Sequence, residues 1–182
     1  MASAHHHGHH EHGPGDIEYR HCPKCGGSLA EKIVKANEPM RLVCQACSFI
    51  FYQDPKVVAG TLFTLNGGIV LLQRGVEPAI GKWVFPSGFV DRGESVQDAA
   101  VRETKEECQL DVQLGLLLNV YSYPRSPIVI VVYTAEVVGG TLTAADESLD
   151  ARAFAPNELP WRDLAFDSTR DALHDYLRAH LK

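Results

Sequence analysis

An acidic segment between Gly88 and Leu110 constrains the fold and the chemistry of this chain more than any other stretch of its sequence. It holds four glutamates at uneven spacing: Glu94, Glu103, Glu106 and Glu107. In an α-helix the last three would lie on one face about 100° wide, where they repel one another unless cations lie between them. Oxygen ligands at such density suit Mg²⁺ or Mn²⁺ better than Zn²⁺. The spacing therefore indicates a divalent-metal site, although a solvated acidic helix would explain it equally well.

The segment also contains a start signal for this helix. Gly93 interrupts the extended run before it, and the hydroxyl of Ser95 can accept a hydrogen bond from the first helical turn, with Asp98 three residues later. Cys108 falls inside the same helix and has no partner at ligand spacing. We therefore expect Cys108 to be small apolar packing rather than a nucleophile.

The segment resembles the Nudix box, a loop–helix–loop pattern written G-x5-E-x7-R-E-U-x-E-E-x-G-U, in which U is a bulky aliphatic residue. The residues that match in register are Gly88, Glu94, Arg102, Glu103, Glu106, Glu107 and Leu110. Two positions depart from the pattern, because Thr104 stands at an aliphatic position and Gln109 replaces the last glycine. Glycine adopts a positive φ more readily than glutamine, so we expect an altered loop at the end of the helix. All the acids of the pattern are retained.

The resemblance implies a metal-dependent hydrolase that cleaves the pyrophosphate bond of a nucleoside diphosphate linked to another group. The implied ligands of the catalytic Mg²⁺ or Mn²⁺ ions are the carbonyl oxygen of Ser87 and the carboxylates of Glu103, Glu106 and Glu107. Arg102 would hold Glu94 or Glu106 in place, and Glu94 would orient the cluster rather than attack. The implied catalytic residues are thus Glu94, Arg102, Glu106 and Glu107.

The identity of the general base stays open between two residues. Glu107 is one of them, and Glu147, in the loop after a long buried strand, is the other. Glu147 could instead be a further metal ligand, or an exposed acid of a turn with no part in catalysis.

Four of the five cysteines occur as two C-x2-C pairs, Cys22 with Cys25 and Cys44 with Cys47, separated by 18 residues. This spacing indicates a structural Zn²⁺ site, in which four thiolates complete the tetrahedron and leave no open position for catalysis. Disulfides and buried thiols are the alternatives, but disulfides need an oxidising compartment, of which the sequence has no sign. A ribbon of about thirty residues cannot sustain a core alone, so Zn²⁺ would supply much of its folding free energy.

Composition and charge narrow the environment of the protein. The chain has 182 residues, 45% of them hydrophobic, and a formal charge of −6, which gives no general attraction to nucleic acid or to an anionic membrane. Its longest apolar run is far too short to span a membrane, and its start has no secretory or transit signal. We therefore expect a soluble, cytoplasmic protein without a nucleic-acid or membrane partner.

The sequence divides into three parts. Residues 1–18 hold six of the nine histidines and cannot bury a core, so we expect a disordered segment that is either an expression tag or a native tail. Residues 19–53 are the predicted ribbon, with strands over residues 29–40 and 41–43. Residues 54–182 alternate strand-like and helical patterns, with strands predicted over residues 56–65, 69–73, 112–121, 128–138 and 151–155 and a last helix over residues 168–181. The prediction is an α/β fold, a mixed sheet with helices on both faces, which is the α/β/α sandwich that Nudix enzymes share.

The resemblance extends over residues 19–178 and is strongest to zinc-ribbon Nudix hydrolases of the plant chloroplast FAD and ADP-ribose pyrophosphatase type. Outside the box it rests on the GKW sequence at residues 81–83, DESL at 146–149 and LAFDS at 164–168. NADH pyrophosphatases also pair a ribbon with a Nudix domain, but residues 121–126 read YSYPRS and lack their Gln-Pro-Trp core.

The activity implied is therefore cleavage of FAD to FMN and AMP, or of ADP-ribose to AMP and ribose 5-phosphate. An NADH pyrophosphatase or a nucleotide-sanitising hydrolase is the second hypothesis. A regulator that senses ADP-ribose with an inactive Nudix domain is a hypothesis of another class, although inactive domains usually lose acids that are all present here.

Residues outside the box must supply selectivity for the substrate. The rings of Tyr121 and Tyr123 could stack on an adenine or isoalloxazine ring, and Arg125 beside them could bind a phosphate, although most aromatic residues serve a core. Arg74 and Lys82 are open to the same two interpretations. Family members often pair, so the resemblance also makes a homodimer an expectation.

Overall fold

A computed structural model describes residues 19–124 and 126–180, and the chain divides into two compact units between Asp54 and Pro55. The predictions for residues 1–18 and for Arg125 lie outside the described ranges. No helix within those ranges combines the length and the apolar character that crossing a membrane requires.

The first unit contains a three-stranded antiparallel sheet. Its strands are β1 (Leu29–Lys32), β2 (Arg41–Cys44) and β3 (Ile50–Phe51), with β2 in the middle. The first strand is shorter than the prediction over residues 29–40, because the chain leaves the sheet after Lys32 and Asn37 takes a φ of +67° in the following loop. The sheet is small. Cys22 and Cys25 precede it, Cys44 is the last residue of β2, and Cys47 lies between β2 and β3.

The second unit combines two sheets with two α-helices among its described residues. Its elements in chain order are β4 (Lys56–Leu62), β5 (Thr64–Leu65), β6 (Gly68–Arg74), β7 (Trp83–Val84), β8 (Ser87–Phe89), α1 (Val96–Cys108), β9 (Leu110–Ser122), β10 (Ile128–Gly140), β11 (Ser148–Phe154), a 3₁₀ turn (Pro156–Glu158) and α2 (Asp167–His180). The first sheet has the order β8-β4-β10-β9 and is mixed, since β10 runs parallel to β4. The second sheet has the order β11-β6-β5, with β7 also paired to β6, and is antiparallel.

The strand predicted over residues 56–65 is divided between these two sheets. Phe63 is fully buried at the break, and the residues after it form β5 and pair with β6. Asn66 and Gly67 connect β5 to β6 with φ values of +51° and +82°, as the tight turn of a two-residue hairpin requires. The predicted hairpin is confirmed. It lies in a second sheet, however, whereas the sequence predicted one mixed sheet.

The two helices cover opposite faces of the mixed sheet. On β10, Val132 packs in a buried cluster with Leu173 of α2, whereas Tyr133 packs against the cluster that contains Ala99 and Ala100 of α1. Neighbouring residues of a strand point to opposite faces, so α1 and α2 lie on the two sides of the sheet. The predicted α/β class, with helices on both faces, is confirmed.

One buried hydroxyl in α2 makes a stability prediction possible. Thr169 is fully buried, and its Oγ1 has no hydrogen-bond partner among the described residues. A buried hydroxyl without a partner has lost its hydration without compensation, so we expect Thr169→Val to raise the free energy of unfolding by about 1 kcal/mol. Urea denaturation followed by circular dichroism measures this change.

The control is the same substitution at a hydroxyl that is bonded. Oγ1 of Thr134 accepts from the amide of Leu116 at 2.9 Å and donates to its carbonyl oxygen at 3.2 Å. Thr134→Val is therefore expected to lower the free energy of unfolding. A comparable loss in Thr169→Val would contradict the assignment of its hydroxyl as unpaired.

Candidate active site and zinc site

Helix α1 begins where the sequence predicts. Ser95 is the N-cap, and its Oγ accepts a hydrogen bond from the amide of Asp98 at 3.0 Å. Cys108 is fully buried at the other end and donates through Sγ to the carbonyl oxygen of Thr104 at 2.9 Å. Burial raises the pKa of the Cys108 thiol to about 12, so the neutral, packed form that the sequence indicates is the stable one.

Gln109 takes the conformation that the missing glycine of the box would take. Its φ is +58°, and its amide donates to the carbonyl oxygen of Lys105 at 3.0 Å. Its side-chain Nε2 donates to the same carbonyl oxygen at 3.1 Å. These two hydrogen bonds offset the cost of a left-handed backbone, so Gln109 ends the helix with a positive φ although it is not a glycine.

Arg102 gathers the acids of the segment around one guanidinium group. Nε and Nη2 donate to the two carboxylate oxygens of Glu94 at 2.8 and 2.9 Å, and Nη1 donates to Glu103 at 2.7 Å and to Glu106 at 2.9 Å. Nη2 also donates to the carbonyl oxygen of Phe89 at 3.1 Å. All five N–H donors of the guanidinium are therefore engaged, and Arg102 ties the loop before the helix to the acidic face of α1.

The strand β8 lies directly against two of these acids. The amide of Ser87 donates to Oε2 of Glu107 at 2.8 Å. The Glu103 carboxyl lies so close to the Cα of Gly88 that a Cβ built there would be 2.2 Å from Cδ of Glu103. Glycine is required at this position because a larger residue would displace the carboxylate.

Close packing shifts the pKa values of the acids in different directions. Burial raises the pKa of Glu107 to about 8, and the Glu103 carboxylate raises it too, whereas the hydrogen bond from the Ser87 amide lowers it. Burial also raises the pKa of Glu103, against the lowering effect of Arg102. The hydrogen bonds from Arg102 hold the pKa of Glu94 below its usual range. Burial thus destabilises the charged carboxylates of Glu103 and Glu107, and a bound cation would stabilise them.

The donor set fits a hard divalent cation. Glu103, Glu106 and Glu107 offer only carboxylate oxygens beside the backbone of Ser87, and Gly88 leaves room for Glu103 against the strand. Within the described residues, no three of the acids bring one oxygen each within 4.8 Å of one another, and Arg102 is hydrogen-bonded to both Glu103 and Glu106. Holding an ion would therefore require Glu106, the most exposed of the three, to turn from Arg102.

We expect Gly88→Ala to reduce hydrolytic activity by about 100-fold or more, because the added Cβ would push the Glu103 carboxylate from its place. Rates at several Mg²⁺ concentrations would measure the change. Gly139→Ala is the control, since its Cβ would meet only the movable carboxylate of Asp111, at 3.1 Å. Equal activity of Gly88→Ala and the wild type would show that the position of Glu103 is unimportant.

Glu147 lies in the same small cleft as Glu107. The cleft is lined by Leu72, Arg74, Val76, Val84, Glu107, Glu147 and Ser148. The loop that carries Glu147 is fixed at two points. The amide of Ala145 donates to the carbonyl oxygen of Glu107, near the end of α1, at 3.1 Å, and the amide of Gly75 donates to the carbonyl oxygen of Glu147 at 2.7 Å. The two residues considered as general base are thus brought together, although they are 40 positions apart in the chain.

The sequence leaves the role of Arg74 open and does not mark Asp146 as a site residue. Arg74 lowers the pKa of Glu107 through its charge, and Asp146 raises it, so both lie within electrostatic reach of the acids. No motif marks Asp146 beyond its place in the DESL sequence. Lys82, in contrast, pairs with Asp163 at 2.8 Å and is engaged outside the cluster.

Tyr121 and Tyr123 both bond to α2. The Tyr121 hydroxyl donates to Asp175 at 3.0 Å, and the Tyr123 hydroxyl donates to Asp171 at 2.6 Å. Tyr121 is only 6% exposed and belongs to the core cluster of α2. Its burial favours a packing role. The predicted contacts of Tyr121, Tyr123 and Arg125 with substrate stay predictions.

The four paired cysteines of the first unit form a compact cluster. Their sulfur atoms all lie within 4.8 Å of one another, with Cys22 Sγ 3.8 Å from Cys47 Sγ and Cys25 Sγ 3.5 Å from Cys44 Sγ. A tetrahedral Zn²⁺ with bonds of about 2.3 Å needs sulfur atoms about 3.8 Å apart, so the cluster fits zinc. The amide of Cys47 donates to the Cys44 sulfur, and this hydrogen bond lowers the pKa of the Cys44 thiol.

Each of the two units matches a known protein family. Residues 54–176 match the NUDIX domain, and residues 20–53 match the family described as Nudix N-terminal, a zinc ribbon. The first match covers more than half of the chain. The fold and the acidic helix define the class, and the chain belongs to the Nudix family. It is a Nudix hydrolase with an N-terminal Nudix zinc ribbon, and enzymes of this family use divalent metals.

Individual relatives agree with this assignment. An ADP-ribose pyrophosphatase of Methanocaldococcus jannaschii is 34% identical over 157 residues, which cover 84% of this chain and 87% of the relative. The crystal structure of a NUDIX hydrolase from Nitrosomonas europaea superposes with a TM-score of 0.82 at 33% identity, over 89% of this chain and 93% of the other.

A second group of relatives is longer than this chain. The NAD-capped RNA hydrolase NudC of Pseudomonas fluorescens strain Pf0-1 is 26% identical over 145 residues, which cover 79% of this chain but 50% of that protein. The chain thus spans about half the length of these relatives.

Proposed function

We propose that this protein hydrolyses the pyrophosphate bond of a nucleoside diphosphate derivative, with ADP-ribose as the leading substrate. The observation that carries the proposal is the likeness to the M. jannaschii ADP-ribose pyrophosphatase, which is 34% identical and extends over 84% of this chain. The packed acids of α1 support it, because the diphosphate of such a substrate needs cations to offset its charge.

Glu103, Glu106, Glu107 and the carbonyl oxygen of Ser87 would hold Mg²⁺ or Mn²⁺. Bound there, the cations would neutralise the diphosphate and lower the pKa of an attacking water. Arg102 holds Glu94 and Glu103 through three hydrogen bonds, and Glu94 fixes Arg102 in turn. Glu94 and Arg102 thus act by orienting the ligands and touch no reacting atom.

Glu147 is the general base in this proposal, and Glu107 is a metal ligand. Glu107 is held by the Ser87 amide, whereas the exposed Glu147 lies across the same cleft and is free to accept a proton from water.

We expect Glu147→Gln to reduce kcat while Mn²⁺ affinity is retained, and Glu107→Gln to reduce both kcat and Mn²⁺ affinity. Loss of Mn²⁺ binding in Glu147→Gln would instead make Glu147 a ligand.

FAD and NADH share the adenosine diphosphate portion of ADP-ribose and are the main competing substrates. The NudC relatives favour an NAD-derived substrate as the second candidate. An ADP-ribose sensor without activity is the alternative outside enzymes, and the complete set of box acids argues against it.

A substrate panel tests the proposal. The kcat/KM values for ADP-ribose, FAD, NADH, diadenosine polyphosphates and dNTPs, measured with Mg²⁺ and with Mn²⁺, should rank ADP-ribose first. A lead of NADH by about tenfold, equivalent to about 1.4 kcal/mol in transition-state binding, would reject this ranking. Tight binding of ADP-ribose without turnover of any substrate would identify a sensor.

A further inference from the structure

A pair of buried hydroxyls connects the metal-bearing helix to the sheet beneath it. Thr104 of α1 and Thr61 of β4 are both fully buried, and their Oγ1 atoms lie 2.6 Å apart. Oγ1 of Thr104 also lies 2.7 Å from the carbonyl oxygen of Ala100. A hydroxyl has one proton to donate, and that of Thr104 goes to Ala100. Thr61 is therefore the donor to Thr104.

The surroundings of the pair make this contact directional. The neighbouring cluster consists of Ala59, Ala99 and Ala100, which are fully buried and bring helix and sheet close together. Contacts between methyl groups tolerate small shifts along the helix, whereas a hydrogen bond in an apolar region has a narrow range of geometry and a high cost when broken. Thr104, which stands at the aliphatic position of the box, therefore fixes the position of α1 relative to β4.

The backbone of Thr61 fixes the other side of the acidic site. Its amide donates to the carbonyl oxygen of Pro86 at 3.0 Å, and the preceding Gly60 pairs with Ser87 of β8. The amide of Ser87 in turn donates to Glu107. Thr61 is thus bonded through its main chain to the segment that leads into β8. Through its side chain it is bonded to α1, the helix that carries the acids.

We propose that Thr61 and Thr104 are positioning residues that hold Glu103 and Glu107 in register with Ser87 and Gly88, and that they thereby raise the affinity for a divalent cation. Thr104 directly follows Glu103 and precedes Glu107 by three residues, so a shift of α1 moves both carboxylates relative to β8. This inference rests on the proposed function, in which those two acids are metal ligands.

Mn²⁺ binding to the full chain, measured by electron paramagnetic resonance of the free ion, tests the inference without any assay of activity. Thr104→Val restores an aliphatic residue of similar shape and leaves the Thr61 hydroxyl without its acceptor. We expect the dissociation constant for Mn²⁺ to rise by about tenfold, as for other residues that orient metal ligands. Thr104→Ser, which keeps the hydroxyl, should bind like the wild type. A Glu103→Gln variant supplies the background from other Mn²⁺ sites.

A double variant separates positioning from stability. Thr61→Val/Thr104→Val leaves no buried donor unpaired, so its resistance to urea should return towards that of the wild type. Its Mn²⁺ affinity should stay weak, because the directional contact is still absent. Recovery of the affinity together with the stability would overturn the inference. Thr169→Val, the same change at a buried threonine of α2, is the control and should leave Mn²⁺ affinity unchanged.

Thr61→Val provides the test if Thr104→Val does not fold, since Thr104 keeps its bond to Ala100 in that variant. Wild-type Mn²⁺ affinity in folded Thr61→Val and Thr104→Val would overturn the inference. A wild-type protein that binds Mn²⁺ through Glu103 but hydrolyses none of the nucleotides would reject the proposed function alone, and the comparison of affinities would still decide the role of the two threonines.

Discussion

Glu107→Gln is expected to lower kcat/KM for ADP-ribose by about 10³-fold or more, equivalent to about 4 kcal/mol of lost transition-state stabilisation. The amide oxygen of glutamine can still accept the hydrogen bond from Ser87, so the contact between α1 and β8 is kept. What is lost is the negative charge that would hold a divalent cation beside Glu103. Steady-state rates over a range of Mg²⁺ concentrations measure the effect.

The fold must be retained for this result to bear on catalysis. We expect the urea midpoint of Glu107→Gln to be equal to or above that of the wild type, because partial burial makes the charge at Glu107 costly without a metal. Glu136→Gln, at an exposed position of β10, is the matched control and should leave the rate unchanged. Near-wild-type turnover by Glu107→Gln would exclude Glu107 as a ligand.

Removal of zinc is the second change expected to have a large effect. The first unit has one small sheet, and two of its four clustered cysteines are among its few fully buried residues. Structural Zn²⁺ contributes about 10–16 kcal/mol to the folding of comparable small modules. We therefore expect chelation, or Cys44→Ser, to unfold residues 19–53, while the second unit keeps its own buried core.

Elemental analysis and hydrogen exchange together measure this outcome. After removal of residues 1–14, whose histidines could bind metal, the protein should contain about one zinc per chain. Amides of β1 and β2 should lose protection in Cys44→Ser and keep it in Cys108→Ser, which alters the one cysteine outside the cluster. Absence of zinc from the wild type, or full zinc content in Cys44→Ser, would contradict a four-cysteine site.

Local sequence signals predicted those elements whose ends are marked by capping or turn residues. Ser95 with Asp98 marks the beginning of α1, and Asn66 with Gly67 marks the hairpin, because both are decided by hydrogen bonds and φ values within a few residues. β11 begins at Ser148, three residues before its predicted start, since pairing with β6 extends the strand through Ser148, Leu149 and Asp150, which no local pattern favours.

Contacts between distant parts of the chain could not be predicted in this way. The proximity of Glu147 to Glu107 depends on the loop after β10 bonding to the end of α1. The bond from Thr61 to Thr104 depends on the register between β4 and the helix. Spacing along the sequence identified the acids of the candidate site, but their surroundings are set by the tertiary fold.

We expect Glu103 and Glu107 to hold divalent cations beside β8. Crystals grown with Mn²⁺ and a non-hydrolysable ADP-ribose analogue, with diffraction recorded at the manganese absorption edge, test it most directly. We expect an anomalous peak within about 2.5 Å of a carboxylate oxygen of each residue. Manganese found only at the histidines or elsewhere on the surface would contradict it.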